Sequence, residues 1–184
     1  MTPLPYIRRL RAFIKRGGVI AYPTESCFGL GCDPANRRAV QRILALKGRP
    51  QRKGLILVGS DLRQFSRYLA PLPFGFEARL SEWWPGPNTL LLPVSKHCPR
   101  WLNGAHDTLA VRVTAHPGCR SLCHAIGMAL ISTSANRAGC RPIKDAKTCT
   151  RIFGKQVLTL PGQIGRHKRP SRIIEPLSGN TYRV

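Results

Sequence analysis

Acidic side chains are scarce: eight Asp and Glu stand against thirty Lys and Arg in 184 residues, a net charge of +22. A surface so one-sided repels itself, and a polyanionic partner would relieve that repulsion, although a basic surface serving only solubility has the same composition. Long apolar runs are also missing. Met1 to Leu10 already contains Arg8 and Arg9, and no stretch is long enough for a leader or a membrane span, so the chain reads as cytoplasmic, without a membrane partner. Aromatic residues make up only 7%, too few for the stacking platforms of a dedicated single-strand RNA binder. No G-x-x-x-x-G-K-S/T occurs, and Gly29-Leu30-Gly31 lacks the third glycine of a dinucleotide loop, so any nucleotide site is built otherwise. Five histidines are present without a G-x-S-x-G elbow, which argues against a Ser-His-Asp hydrolase.

No C-x-x-C pair occurs among the seven cysteines, an odd count in a chain without an export signal, so neither a disulfide framework nor a protein-held metal is expected. Cys119, Cys123 and His124, with His97 and Cys98, are the nearest approach to a ligand set. They read as ordinary core or surface residues.

The 42% apolar content suffices for one core, and a single domain over 1–184 is expected. Ile7, Leu10, Phe13 and Ile14 fall at helical spacing in 5–16, with Gly17-Gly18 as the stop. Val19 to Tyr22 reads as a buried strand and 24–31 as a polar loop. Val40, Ile43, Leu44 and Leu46 mark a helix over 36–47 that Gly48 and Pro50 end. Further strands are expected at 55–58, 89–94, 109–113, 128–131 and 157–160, and helices at 117–126 and 144–153. Ser60 is read as the cap of a helix carrying Leu62, Phe65 and Leu69, and another helix as covering Phe76 to Trp84. A turn at 178–180 closes a hairpin, so the alternating pattern predicts a layered α/β domain on a mixed sheet.

Two constellations bear on chemistry. In Lys47-Gly48-Arg49-Pro50, a helix ending at Gly48 and an extended residue before Pro50 let both cations converge on one phosphate. Lys47 merely complementing the helix dipole beside a solvated Arg49 fits the spacing equally well. Ser132-Thr133-Ser134-Ala135-Asn136 follows an apolar strand, and an extended chain puts Ser132, Ser134 and Asn136 on one side, where small donors suit phosphate or sugar oxygens. A polar capping turn has the same composition. Neither Lys47 nor Arg49 lies on the apolar stripe, so alanine at either position is expected to abolish activity without unfolding.

These segments stand in one order with Tyr22-Pro23-Thr24-Glu25, Phe28-Gly29-Leu30-Gly31, Trp84-Pro85-Gly86-Pro87 and Leu109-Ala110-Val111-Arg112-Val113. The ordered set resembles the YrdC/TsaC threonylcarbamoyl-AMP synthase family from about Gly17 to Arg172, in its short, single-domain form. The resemblance implies a YrdC-like layered α/β domain with a twisted mixed sheet, flanking helices and a positively charged concave cleft. It also implies an activity: L-threonine and bicarbonate give a carbamate that attacks the α-phosphorus of ATP, releasing pyrophosphate, with Mg2+ on the triphosphate. The adenylate would pass to a separate transferase complex that modifies a tRNA adenosine.

Carried over residue by residue, Lys47, Arg49, Ser134 and Asn136 form the implied catalytic set. Thr24, Ser26, Arg112 and Ser171 form the threonine pocket, with Arg112 on the amino-acid carboxylate, and Thr108 and Ser132 join Lys47, Arg49 and Ser134 around ATP. An ion pair at a strand end is the plainer reading of Arg112 and the less expected one in so acid-poor a chain. Ser26-Cys27 stands where many relatives read Thr-Val, and Pro161 to Arg166 departs from the family's glycine-rich loop. The rival reading is an RNA-binding protein on the same fold, with Arg166, His167, Lys168, Arg169, Arg172 and the N-terminal helix tracking a phosphate backbone.

Overall fold

The computed structural model describes residues 3–50 and 54–183. In chain order the elements are α1 (Leu4–Lys15), β1 (Ile20–Pro23), β2 (Phe28–Gly31), α2 (Arg37–Lys47), β3 (Ile56–Gly59), α3 (Phe76–Arg79), β4 (Asn88–Pro93), α4 (Arg100–Asn103) and β5 (Thr108–Val113). They continue with α5 (Pro117–Ile126), β6 (Leu130–Ser134), α6 (Ala146–Phe153), β7 (Leu158–Thr159), β8 (Arg172–Glu175) and β9 (Asn180–Arg183). The strands form one mixed sheet in the order β7-β1-β2-β6-β3-β5-β4-β8-β9. The layered α/β class and the closing β8–β9 hairpin agree with the sequence reading.

Local chemistry explains the element ends. Asn36 caps α2 by accepting from the Ala39 N–H at 3.1 Å, and Gly48 closes it in the left-handed conformation at φ 60°. His116 Nδ1 accepts from the Cys119 N–H at 3.1 Å to start α5, and Gly127 ends it.

Four expectations are corrected. Phe28–Gly31 is a strand: Phe28 and Leu30 alternate into the core while Gly29 and Gly31 let the neighbouring strands approach. Ser60 is not a helix cap. Asp61 takes that role, accepting from the Arg63 N–H at 2.9 Å, and only a 3-10 turn over Leu62–Phe65 follows. The helix expected from Phe76 to Trp84 gives way to a 3-10 turn at Leu80. The strand expected at 128–131 begins two residues later and runs through the serines to Ser134, because β2 and β3 pair along it from both sides.

The two sheet faces differ. One is covered by α2 and the segments after β3, which with Leu57, Leu90, Leu109 and Val111 make the larger core. On the other face α1 and α5 cover Ile20, Tyr22, Val58 and Leu130. That cover stops short. Along the same strands, Ser132, Ser134, Ile56, Ala110 and Arg112 are only partly buried, so half of this face is open as a floor.

Candidate active site

Strand register decides which side chains share that floor. Ile56 pairs with both Ser132 and Ala110, and Val58 with both Leu130 and Arg112. Leu90 opposes Val111, so Thr89 falls opposite Arg112, and Thr89 pairs in turn with Ile173, which pairs with Arg183. Paired residues lie on the same face. Val58, Arg112, Thr89, Ile173 and Arg183 therefore form one row, with Arg112 and Arg183 as its two cations.

At one end of the floor, Lys47 reaches round the end of β6. Its ammonium donates to the backbone carbonyls of Ser134 and, at 2.9 Å, Asn136, with Asn136 Oδ1 at 3.4 Å and Ser134 Oγ at 3.5 Å. The Ala138 N–H returns a bond to the Lys47 carbonyl at 2.8 Å. Lys47 is only 6% exposed, and burial, reinforced by the Arg49 charge, lowers its pKa to about 8. Arg49 donates from Nη2 to the Gly54 carbonyl at 3.2 Å, and burial lowers its pKa as well. Lys47 thus pins the loop after β6, which revises the expectation that its removal leaves the fold untouched.

The pentad does not stay extended. Ser132 and Ser134 share the floor, but the Asn136 N–H turns back to the Ser134 carbonyl at 2.9 Å. The Asn136 amide then donates to the carbonyls of Arg137 at 2.9 Å and Cys140 at 2.7 Å. Asn136 therefore builds the capping turn that spacing had left open, while Ser132 and Ser134 keep their hydroxyls at the floor.

At the other end, Arg112 forms an ion pair with Glu25 and donates from Nε to the Gly86 carbonyl at 3.0 Å. The ion pair, the less expected reading, is what the structure contains. Burial raises the Glu25 carboxyl pKa, but the Arg112 charge and the Thr114 hydroxyl outweigh it and hold the group below its ordinary value. Ser171 is buried, sharing a hydrogen bond with Thr89 at 2.7 Å and accepting from Arg183 Nη2 at 3.0 Å.

The Thr24–Cys27 turn between β1 and β2 bridges these two ends. Glu25 reaches Arg112, and the Cys27 thiol, whose pKa burial raises, is pulled the other way by the Ser26 and Thr24 hydroxyls and, more weakly, by the Lys47 and Arg112 charges. The Thr24 hydroxyl donates to the Cys27 carbonyl at 2.7 Å, and Ser26 sits beside the thiol. Residues 162–167 strap this turn from outside, with the Gly165 N–H on the Thr24 carbonyl at 2.9 Å and the His167 N–H on the Glu25 carbonyl at 3.1 Å. Thr108 starts β5 on the same face as Arg112.

Sequence reasoning missed Arg183 and Glu25. Glu25 lay within a quoted motif, whereas Arg183 carries no local signal and joins the site only through the β4–β8–β9 pairing. A concavity of about 890 Å³ is a separate feature. It is lined by Phe13, Arg42, Ile152 and Lys155 among others, and of the candidate residues it touches only Lys47. Cys119 and Cys123 are buried in the α1–α5 core, and among the described residues no cluster of three His, Cys, Asp or Glu could hold a metal. Among the same residues no helix is long and apolar enough to cross a membrane.

Residues 12–184 match the Sua5/YciO/YrdC family model, described as "Telomere recombination". The chain is 51% identical over 176 residues to the threonylcarbamoyl-AMP synthase of Methylobacillus flagellatus, covering 96% of this chain and 98% of that protein. It is 48% identical over 187 residues to the protein of the same name from Chromobacterium violaceum, covering 98% and 97%. Among solved structures, P. abyssi Sua5 complexed with L-threonine superposes with a TM-score of 0.82 at 31% identity over 94% of this chain. This chain spans about half of that one, 51%. E. coli YciO superposes with a TM-score of 0.77 at 27% identity, covering 94% of this chain and 84% of its own.

Proposed function

The chain belongs to the Sua5/YciO/YrdC family, and from that membership we infer that it is a threonylcarbamoyl-AMP synthase, a transferase that serves tRNA modification. The observation that carries this reading is about half identity, over nearly the full length of both chains, to proteins of that name. It outweighs RNA binding as the chain's main role.

Beyond the name, we propose the following chemistry, with the chain acting as one cytoplasmic catalytic domain of nucleotidyltransferase type. The threonine amine attacks bicarbonate carbon with loss of water, giving a carbamate. A carbamate oxygen then attacks the ATP α-phosphorus as the bond to the β-phosphate oxygen breaks, and pyrophosphate leaves. Cations at the end of a half-dry sheet suit this task, because phosphoryl transfer demands positioning and charge stabilisation more than covalent help. Arg49 and Lys47 supply positive charge for the triphosphate, Lys47 acting from behind the loop it pins. The hydroxyls of Ser132, Ser134 and Thr108 donate to nucleotide or acyl-phosphate oxygens.

Arg112 takes the threonine carboxylate, with Thr24, Ser26 and Ser171 as the surrounding polar wall and Arg183 as a second cation in the row. Mg2+ would enter with the triphosphate and be held by its oxygens. Among the described residues the one carboxylate at these side chains, Glu25, is already engaged by Arg112 and Thr114, so no protein ligand set for it is proposed. The product passes to a separate transferase complex. The exposed Arg166, His167, Lys168, Arg169 and Arg172 leave RNA as a further partner, whose binding should weaken steeply with added salt.

The test is pyrophosphate release by purified protein with ATP and Mg2+, omitting threonine and bicarbonate in turn. Release should require both. Release indifferent to threonine would reject the synthase reading.

A further inference from the structure

A guanidinium offers a side edge, Nε with Nη2, and an end edge, Nη1 with Nη2. In Arg112 the side edge is taken. Nε donates to the Gly86 carbonyl at 3.0 Å and the buried Nη2 is in ion-pair contact with Glu25 Oε1, so Nη1 is the nitrogen left for a ligand.

Both acceptors are themselves held. Glu25 is 6% exposed, and the same Oε1 accepts from the Thr114 hydroxyl at 2.7 Å and the Ala115 N–H at 3.2 Å. Gly86 is tied by its N–H to the Val113 carbonyl at 3.1 Å, and a Cβ there would stand 2.6 Å from the Trp83 carbonyl oxygen. The turn around it is stitched by Trp84 Nε1 to the Asn88 carbonyl at 2.8 Å and by the Asn88 amide to the Trp83 carbonyl at 3.1 Å. The Trp84-Pro85-Gly86-Pro87 motif, which contributes no side chain to the chemistry proposed above, thereby acquires a task.

We propose that Glu25 and the Gly86 carbonyl form a clamp that aims Nη1 of Arg112 at the amino-acid carboxylate, making Glu25 a positioning residue for threonine. The inference rests on the synthase reading, with Arg112 as the carboxylate ligand. A long, flexible arginine left to find its own rotamer loses conformational freedom each time threonine binds. One held on two sides has lost it in advance. A purely structural ion pair would be indifferent to which nitrogen is left over, whereas here one jaw is a rigid backbone carbonyl and the other a carboxylate fixed from two further directions.

The test is steady-state pyrophosphate release, with threonine and ATP varied separately, in wild type and three variants whose folding is checked by thermal melts. Glu25→Asp withdraws the carboxylate by one methylene. It should raise the threonine KM at least about tenfold while kcat and the ATP KM stay within about twofold, the signature of lost ground-state binding. Glu25→Gln keeps the reach and the accepting oxygen, since Thr114 and the Ala115 N–H fix which end faces them, and should restore the threonine KM to within about threefold of wild type. Thr114→Val keeps volume but deletes the hydroxyl that fixes Glu25, so it should raise the threonine KM at least about threefold even if Glu25→Asp fails to fold.

An unchanged threonine KM in Glu25→Asp or Thr114→Val, an equal rise in both substrates' KM, or a Gln variant as impaired as the Asp one would each overturn the clamp. Wild-type release that ignores threonine would instead remove the synthase reading beneath it.

Discussion

Lys47 offers the most direct quantitative check, because the structure gives its ammonium a structural load as well as a charge. Lys47→Met keeps the alkyl stem and deletes the donors to the Ser134 and Asn136 carbonyls. Each buried acceptor left without its donor costs about 1–3 kcal/mol. Part is returned, because a charge whose burial lowers its pKa to about 8 is itself unfavourable to bury, so we expect a net loss of about 2 kcal/mol. For a domain of this length that lowers Tm by about 4–8 °C. Scanning calorimetry beside the pyrophosphate assay reads both roles. A Tm within about 1 °C of wild type would refute the pin. A lowered Tm with full pyrophosphate release would instead take Lys47 out of the chemistry.

Three further outcomes are expected. A bound triphosphate should raise the Lys47 pKa above its free value of about 8, so ATP binding near that pH should take up protons and weaken as pH rises. Calorimetric titration in buffers of different ionisation enthalpy detects the uptake, and Lys47→Met should abolish it. At Gly31 an added Cβ would lie 2.6 Å from the Tyr22 ring and 2.8 Å from the Ile131 carbonyl oxygen, so Gly31→Ala should cost about 1–3 kcal/mol in a denaturant titration. At Gly165 the added Cβ would lie 2.7 Å from the Glu25 carbonyl oxygen, so Gly165→Ala should loosen the strap and raise the threonine KM while the melting temperature barely moves; equal kinetics would show that the strap does not steady the turn.

How much of this was legible in the sequence depends on the range of the interaction. Helices α1 and α2 could be read from their apolar spacing and their glycine stops, because both signals act within a few residues. Phe28–Gly31 was misread for a long-range reason. Its alternation of large and glycine residues looks like a loop until β1 and β6 flank it and need the small side. Asn136 shows the converse, where a local hydrogen-bond preference for its own turn overrode the extended pattern.

Arg183 marks where sequence reasoning stops, and the reason is geometric. Its partner on β8 is Ile173, Ile173 pairs with Thr89 on β4, and Thr89 falls opposite Arg112 on β5, so three strand pairings stand between the two arginines. A one-residue slip in any of them would turn Arg183 to the opposite face. Its guanidinium is tied to the Ser171 carbonyl at 2.8 Å and to the Ser171 hydroxyl, and burial, with the nearby Arg112 charge, lowers its pKa. Of the two guanidiniums in the row, Arg112 is the one that Glu25 pairs with. Among the described residues no second carboxylate stands in this row, so an anionic ligand there would offset the Arg183 charge. Arg183→Met should weaken substrate binding, measured as a higher KM for threonine or ATP, without lowering stability by more than the two lost Ser171 bonds account for.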